Sequence, residues 1–140
     1  MMTQLIAYLH FSGQCREALT FYQQCLGGEL NMQKVGESAM GAQMPSKADA
    51  NILRGSLTKD GVTIVMGSDL MGARLKQGNS IALCLHCSSN EELNKCFDRL
   101  SSGGLVAMPP HQSIWGGIYG ELTDRYGIKW MLNYTKINQR

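Results

Sequence analysis

The sequence predicts an α+β fold made of two copies of one module, each reading strand, helix, strand, strand, strand. Three observations predict it: short segments alternate apolar and polar residues, two longer segments carry an apolar stripe at helical spacing, and this order occurs twice. The modules span about residues 1–70 and 79–140, with 71–78 as the connector. We expect them to form a single domain, 1–140, because neither copy alone would bury much apolar surface.

The first module is delimited by its turn residues. An apolar run from Leu5 to Phe11 predicts the first strand, and a helix follows it. Gly27-Gly28 predicts a left-handed cap at the end of that helix, and Glu29 begins the second strand. The segment 36–50 is expected to be a loop. Two further strands flank Lys59-Asp60-Gly61, a strong hairpin signal. The apolar stripe of the helix consists of Ala18, Leu19, Tyr22, Cys25 and Leu26.

The second module repeats this order. Ile81 to Cys87 predicts a strand, and Ser89 with Glu92 three residues later predicts a capping box at the start of the second helix. That helix should end at Gly103-Gly104, before a strand over Leu105 to Met108 and a loop that holds His111. The apolar stripe of this helix consists of Leu93, Cys96, Phe97 and Leu100.

Composition and charge exclude several classes of partner. The 13 basic and 11 acidic residues are spread along the chain, without the basic stripe that tracks nucleic acid phosphates. The first residues have no basic start, and their apolar run is too short for a signal peptide or a membrane span. The five cysteines are an odd number, which favours reduced thiols over a disulfide framework. We therefore expect a cytoplasmic protein that binds neither nucleic acid nor membranes.

Three stretches resemble the PhnB-like branch of the vicinal oxygen chelate superfamily, which comprises glyoxalases, bleomycin-resistance proteins and dioxygenases. They are residues 8 to 30, 79 to 85 and 115 to 133. The last stretch is the most specific, because Trp115-Gly116, Gly120, Asp124, Tyr126-Gly127 and Trp130 reproduce the spacing of that branch. The resemblance implies curved mixed sheets with the helices on the outer face, and a homodimer.

The resemblance also implies where a metal would be held. Metal-using members of the superfamily place His or Glu ligands at positions that align here with Ala7, Val65, Ser80 and Met131. These side chains offer a divalent cation almost nothing, so we expect no metal and no other cofactor. Many PhnB-like members carry His and Glu where this chain has Arg54 and Ser56, which weakens any activity inferred by analogy.

Arg54 is the candidate with the clearest chemistry. Strand alternation places Ile52, Arg54 and Ser56 on the concave side of the sheet, and Leu53 and Leu57 on the helix side. A guanidinium in a partly apolar cleft favours a carboxylate or phosphate group. The alternative is a structural ion pair with Glu121, which occupies in the second module the place of Ser56 in the first.

The remaining candidates come from the second module. His86 lies at the end of a strand on the concave side, and we pair it with Glu121 as weak candidates for acid and base. His10 is expected on the helix side of its strand. The predicted ligand-binding residues are Arg54, Ser56, Ser80, His86, Trp115, Tyr119, Glu121 and Met131.

Two functions agree with these residues. The first is a binding protein, a homodimer that encloses a small organic ligand in its concave sheets without catalysis, and for which an acidic ligand is one alternative. The second is a lyase, isomerase or transferase of the same superfamily that uses His86 and Glu121 or recruits a metal through other residues. The fold supports both, because superfamily members include enzymes and binders.

Overall fold

The computed structural model describes residues 3–34, 51–70, 74–114 and 116–135. The contact pattern divides the chain into two compact units, Met1–Lys76 and Gln77–Arg140. Each unit contains one four-stranded sheet and one helix, in the predicted α+β order. The first unit comprises β1 Ala7–Phe11, α1 Cys15–Leu26, β2 Glu29–Lys34, β3 Ile52–Lys59 and β4 Val62–Asp69. The second comprises β5 Leu83–His86, α2 Asn90–Ser101, β6 Leu105–Gln112, β7 Ile118–Thr123 and β8 Lys129–Tyr134.

Both sheets have the same topology. The strand order is β1-β4-β3-β2 in the first sheet and β5-β8-β7-β6 in the second. In each sheet the module's first strand pairs in parallel with its last strand, and the other pairs are antiparallel. The predicted pair of βαβββ modules is therefore confirmed. That the two modules form one domain stays a prediction.

Glycines let each helix lie close against the middle of its sheet. A Cβ atom on Gly55 of β3 would lie 2.6 Å from the Leu19 side chain of α1. A Cβ atom on Gly120 of β7 would lie 2.8 Å from the Phe97 ring of α2. These contacts define a helix side of each sheet, and we call the opposite side the free face. Next to the glycines, Leu57 and Leu122 are fully buried on the helix side.

The predicted turn signals have the expected geometry. Gly27 and Gly28 after α1 both have positive φ, and so do Asp60 and Gly61 in the β3–β4 hairpin. At the start of α2, the Ser89 hydroxyl accepts a hydrogen bond from the backbone N–H of Glu92 at 3.0 Å. The returning bond of the capping box is displaced by one residue, because the Glu92 carboxylate accepts from the backbone N–H of Ser88.

Two buried carboxylates, those of Asp69 and Asp124, accept hydrogen bonds from N–H groups near the ends of strands and helices. Asp69 accepts hydrogen bonds from the backbone N–H groups of Cys15, at the start of α1, and of Ile52, at the start of β3. Asp124 accepts from the indole N–H of Trp130 at 2.9 Å and from two backbone N–H groups of its turn. Each carboxylate thus provides an acceptor for buried N–H groups.

Several predictions of strand position were wrong. Ile52 faces the helix side and is fully buried, because the pairing with β2 skips Leu53 as a bulge and reverses the alternation at that point. The predicted loop around Pro109-Pro110 belongs to β6, where prolines are tolerated because β6 is an edge strand. Strand β5 begins at Leu83, so Ser80 lies outside it and Ile81 is 79% exposed instead of packing against the helix.

Cys84 and Cys87, three residues apart along the chain, lie in different environments, since positions three apart on a strand point to opposite faces. Cys84 is exposed on the free face, whereas Cys87 is buried just after the end of β5. Burial raises the pKa of the Cys87 thiol to about 12, so this thiol is protonated at neutral pH. A protonated, buried thiol packs as an apolar group.

Candidate functional site

The free face of the first sheet carries a row of polar side chains across three strands. Arg54 of β3 pairs in register with Gln33 of β2, and Ser56 pairs with Asn31 on one side and Met66 of β4 on the other. Because directly paired residues point to the same face, these five side chains lie together. The sheet therefore places Arg54 and Ser56 as the sequence predicted, on the side away from α1.

A hollow of about 420 Å³ lies on this face of the first unit. Its walls are predominantly polar, with one guanidinium, two side-chain amides and two hydroxyl groups beside a thioether. A volume of this size suits a small organic molecule. The residues that supply these groups are Asn31, Gln33, Arg54, Ser56, Thr63 and Met66.

Arg54 is more open to solvent than expected. Its side chain is exposed. Water can solvate the guanidinium, so the charge does not need a partner within the protein. Within the described part of the first unit, no carboxylate forms an ion pair with Arg54. Its charge is available to an acidic group that enters the hollow, although solvent screens the attraction. That Arg54 pairs structurally with Glu121 stays a prediction.

Histidine 10 was expected on the helix side of β1, and this prediction was wrong. Phe11 is buried on that side, whereas His10 and Tyr8 are exposed on the free face, with their rings 5.3 Å apart. His10 pairs with Ser68 of β4, and its Nδ1 atom lies 3.5 Å from the Ser68 hydroxyl. The strand carries the apolar residues Ala7, Leu9 and Phe11 on one face and Tyr8 and His10 on the other, so the alternation, correctly assigned, places His10 on the free face.

The second sheet repeats this framework with different groups. On its free face His86, Asn133, Tyr119 and His111 stand in register across β5, β8, β7 and β6. The neighbouring row comprises Cys84, Met131, Glu121 and Met108. His111, predicted to lie in a loop, therefore belongs to the same face as His86, although two strands separate them.

The closest polar contact of this face joins Tyr119 and Glu121. The Tyr119 hydroxyl donates a hydrogen bond of 2.6 Å to Oε2 of the Glu121 carboxylate. Partial burial of the ring, the hydrogen bond and the negative charge of Glu121 together raise the pKa of the Tyr119 hydroxyl to about 12. The phenol is therefore a hydrogen-bond donor at neutral pH, and it fixes the position of the carboxylate.

The structure does not bring all predicted site residues together. Met131, Tyr119, Glu121 and His86 lie on the free face of the second sheet, but His86 is two strands from Tyr119 and does not pair with Glu121. Ser80 is exposed before β5. Trp115 lies outside the described residues. Asn31 and Gln33 were not predicted, although their alternation with Leu30 and Met32 in β2 was a usable signal.

The residues of these faces do not fit the metal centre of the superfamily. Val65 is 4% exposed on the helix side, and Ala7 pairs with it, so the alignment placed these two positions on the wrong face. On the correct face, Tyr8 and Met66 replace them. Among the described residues, no group of three or more His, Cys, Asp or Glu side chains is placed to hold a metal ion.

A family model described as 3-demethylubiquinone-9 3-methyltransferase matches residues 3–133. The chain belongs to this PhnB-like family. It is 31% identical to Protein YjdN of Escherichia coli, with 94% of the chain and 95% of the relative covered. It is 33% identical to protein PA1353 of Pseudomonas aeruginosa, whose crystal structure has a TM-score of 0.84 and coverages of 96% and 98%.

More distant structures share the fold alone. A PhnB protein from Bacillus cereus has a TM-score of 0.76 at 20% identity, with 95% of this chain and 100% of that chain covered. Proteins described as glyoxalase, bleomycin resistance or dioxygenase family members have TM-scores of 0.59 to 0.62. The predicted fold of that superfamily is thus confirmed. In the described ranges of the chain, no helix is both long and apolar enough to cross a membrane.

Proposed function

We propose that this PhnB-like protein binds a small organic acid in the hollow on the free face of its first sheet. The observation that carries the proposal is the placement of Arg54, a guanidinium in the wall of a 420 Å³ hollow that is otherwise lined by neutral groups. An arginine can hold a carboxylate through two parallel N–H···O bonds. Asn31, Gln33 and Ser56 stand beside it and can hydrogen-bond the uncharged part of the ligand.

The proposal is tested by a thermal shift screen of small organic acids, followed by calorimetric titration of those that stabilise the protein. The Arg54→Ala variant should bind a stabilising acid about tenfold more weakly, the lower end of the range for a charged hydrogen bond, because Arg54 is solvent-exposed. Its melting temperature without ligand should stay unchanged.

The matched control is Arg16→Ala, which removes an exposed arginine from α1 and should leave affinity unaltered. The proposal would be refuted if no acid stabilised the protein, or if both arginine variants bound an acid as tightly as the natural chain.

We further propose a cytoplasmic homodimer that binds its ligand without the superfamily's metal. Five free cysteines support a reducing compartment. The thioethers of Met66 and Met131 on the two free faces are poor ligands for a hard divalent cation, which supports binding without a metal. Light scattering should give twice the monomer mass.

Elemental analysis of the purified protein should find no stoichiometric divalent metal, and finding one would refute the proposal that the ligand binds without a metal.

A lyase, isomerase or transferase activity is the second candidate, and the hydrogen bond between Tyr119 and Glu121 favours it. Glu121 could act as a base whose position is fixed by the phenol, so Tyr119 replaces His86 as the expected partner. Glu121→Gln would abolish such an activity while leaving acid binding by Arg54 intact. That pair of outcomes separates the enzyme from the binding protein.

A further inference from the structure

The free face of the second sheet carries two acceptor groups that are not fully used. The Glu121 carboxylate engages only its Oε2 atom with Tyr119, which leaves Oε1 with both lone pairs available. The side-chain oxygen of Asn133 is buried and makes no hydrogen bond in the part of the chain that the structure describes. A buried acceptor without a donor is rare in folded proteins and destabilises them.

These two acceptors lie within reach of one donor group. Asn133 pairs directly with Tyr119, and Glu121 pairs directly with Met131, so Asn133 and Glu121 are diagonal neighbours on the same face. The Cα atoms of such neighbours are about 7 Å apart, and their side chains can converge on one atom between them. Asn133 as a residue is only half-buried although its side-chain oxygen is buried, so binding requires the amide to turn toward the free face.

The charge of this face selects the kind of donor. Glu121 is negative, and within the described part of the second unit no cation forms an ion pair with it. Lys129 is the other diagonal neighbour of Glu121 on this face, and in the described part of the second unit no ion pair joins the two side chains. Met131 and the ring of Tyr119 add apolar surface beside the acceptors. The group that satisfies an anionic oxygen and a neutral oxygen at once is a cation with several N–H bonds.

We propose that the free face of the second sheet binds a primary ammonium group of a small molecule between the Glu121 carboxylate and the Asn133 side-chain oxygen. The ammonium donates one N–H to each oxygen, and the carbon next to it lies against Met131 and Tyr119. The site uses residues of the second unit only, whereas the acid-binding hollow uses residues of the first.

The test uses benzylammonium as the probe and follows the side-chain amide and the β7 and β8 backbone signals by NMR. Benzylammonium should shift the Asn133 signals saturably, with a Kd of about 1 mM. Benzyltrimethylammonium carries the same charge without N–H donors, and it should bind at least about tenfold more weakly.

Variants locate the site. Glu121→Gln and Asn133→Ala should each weaken benzylammonium binding about tenfold. Glu91→Gln, which neutralises an exposed carboxylate on α2, should leave it unaltered. The acid-binding proposal is tested on Arg54 with acids and this one on Glu121 with ammonium compounds, so the two proposals fail separately. A shift that does not saturate, equal binding of the two benzyl cations, or full affinity in Glu121→Gln would overturn the proposal.

Discussion

The two sheets of this chain have one framework and two different free faces. On the helix side, Gly55 and Leu57 of the first sheet correspond to Gly120 and Leu122 of the second, and each pair packs under its helix. On the free face, Arg54 and Ser56 are replaced by Tyr119 and Glu121 at the corresponding positions. At these corresponding positions the first face thus carries a cation and the second an anion. Packing fixes the helix side of the repeat, whereas the free faces can differ in chemistry without disturbing the fold.

The largest effects should come from the shared helix side. Leu57→Ala and Leu122→Ala should each lower the free energy of unfolding by about 3 kcal/mol, because each removes a fully buried side chain and leaves a cavity. Equilibrium unfolding in urea measures both. Leu105→Ala, at a position that is 74% exposed, is the control and should have almost no effect.

The same experiment tests whether the chain is a single domain. If both modules share one cooperative core, each leucine variant shifts one common transition. If Leu57→Ala shifted an early transition and Leu122→Ala a separate one, the two sheets would unfold independently. The chain would then consist of two domains and not of two halves of one domain.

The sequence predicted this framework because the repeat involves many residues, whereas the details that it missed depend on single residues. The fold follows from two amphipathic helices and their glycine turns, which are long and redundant signals. The orientation of Ile52 depends on one bulge at Leu53, and that bulge is stabilised by the Asp69 carboxylate, 17 residues away. That long-range contact is not visible in a local pattern. The face of His10, in contrast, follows from the alternation of apolar residues in β1, which the prediction assigned to the wrong side.

The candidate site was predictable only in part for the same reason. Arg54 and Ser56 lie beyond the bulge and keep their predicted face, and the repeat correctly matched Glu121 with Ser56. The partner of Glu121 was not predicted. Tyr119 and Glu121 are two residues apart on one strand, so their side chains share a face, but so do many residue pairs that do not bond.

A smaller effect should distinguish the two central glycines. Gly120→Ala should lower the free energy of unfolding by about 2 kcal/mol and Gly55→Ala by about 1 kcal/mol, within the usual range for overpacking. The added methyl group meets the rigid Phe97 ring in the second sheet but the flexible end of Leu19 in the first. Urea unfolding of both variants checks the order.

Gly61→Ala serves as the control for backbone effects, since Gly61 has positive φ but open space around it. Any loss in the free energy of unfolding of this variant would come from the backbone conformation alone, because the added methyl group meets no other atom. If Gly55→Ala were the more destabilising of the two central variants, the helix of the first unit would lie more rigidly on its sheet than these contacts indicate.

The smallest effect concerns the free face of the second sheet and appears only at high pH. The pKa of Tyr119 is raised from 10.0 to about 12, first by burial and then by Glu121. A raised pKa means that the folded state favours the protonated phenol, so the resulting stabilisation is complete below pH 10 and is lost as the pH rises through 12. Spectrophotometric titration of tyrosinate, compared between the natural chain and Tyr119→Phe, isolates this group. Glu121→Gln should lower the pKa of Tyr119 only in part, because burial is the larger cause. A Tyr119 that titrated near 10 in the natural chain would show that the phenol and the carboxylate are not joined. The two free faces would then still differ in charge, but Tyr119 would not hold the Glu121 carboxylate in a fixed position.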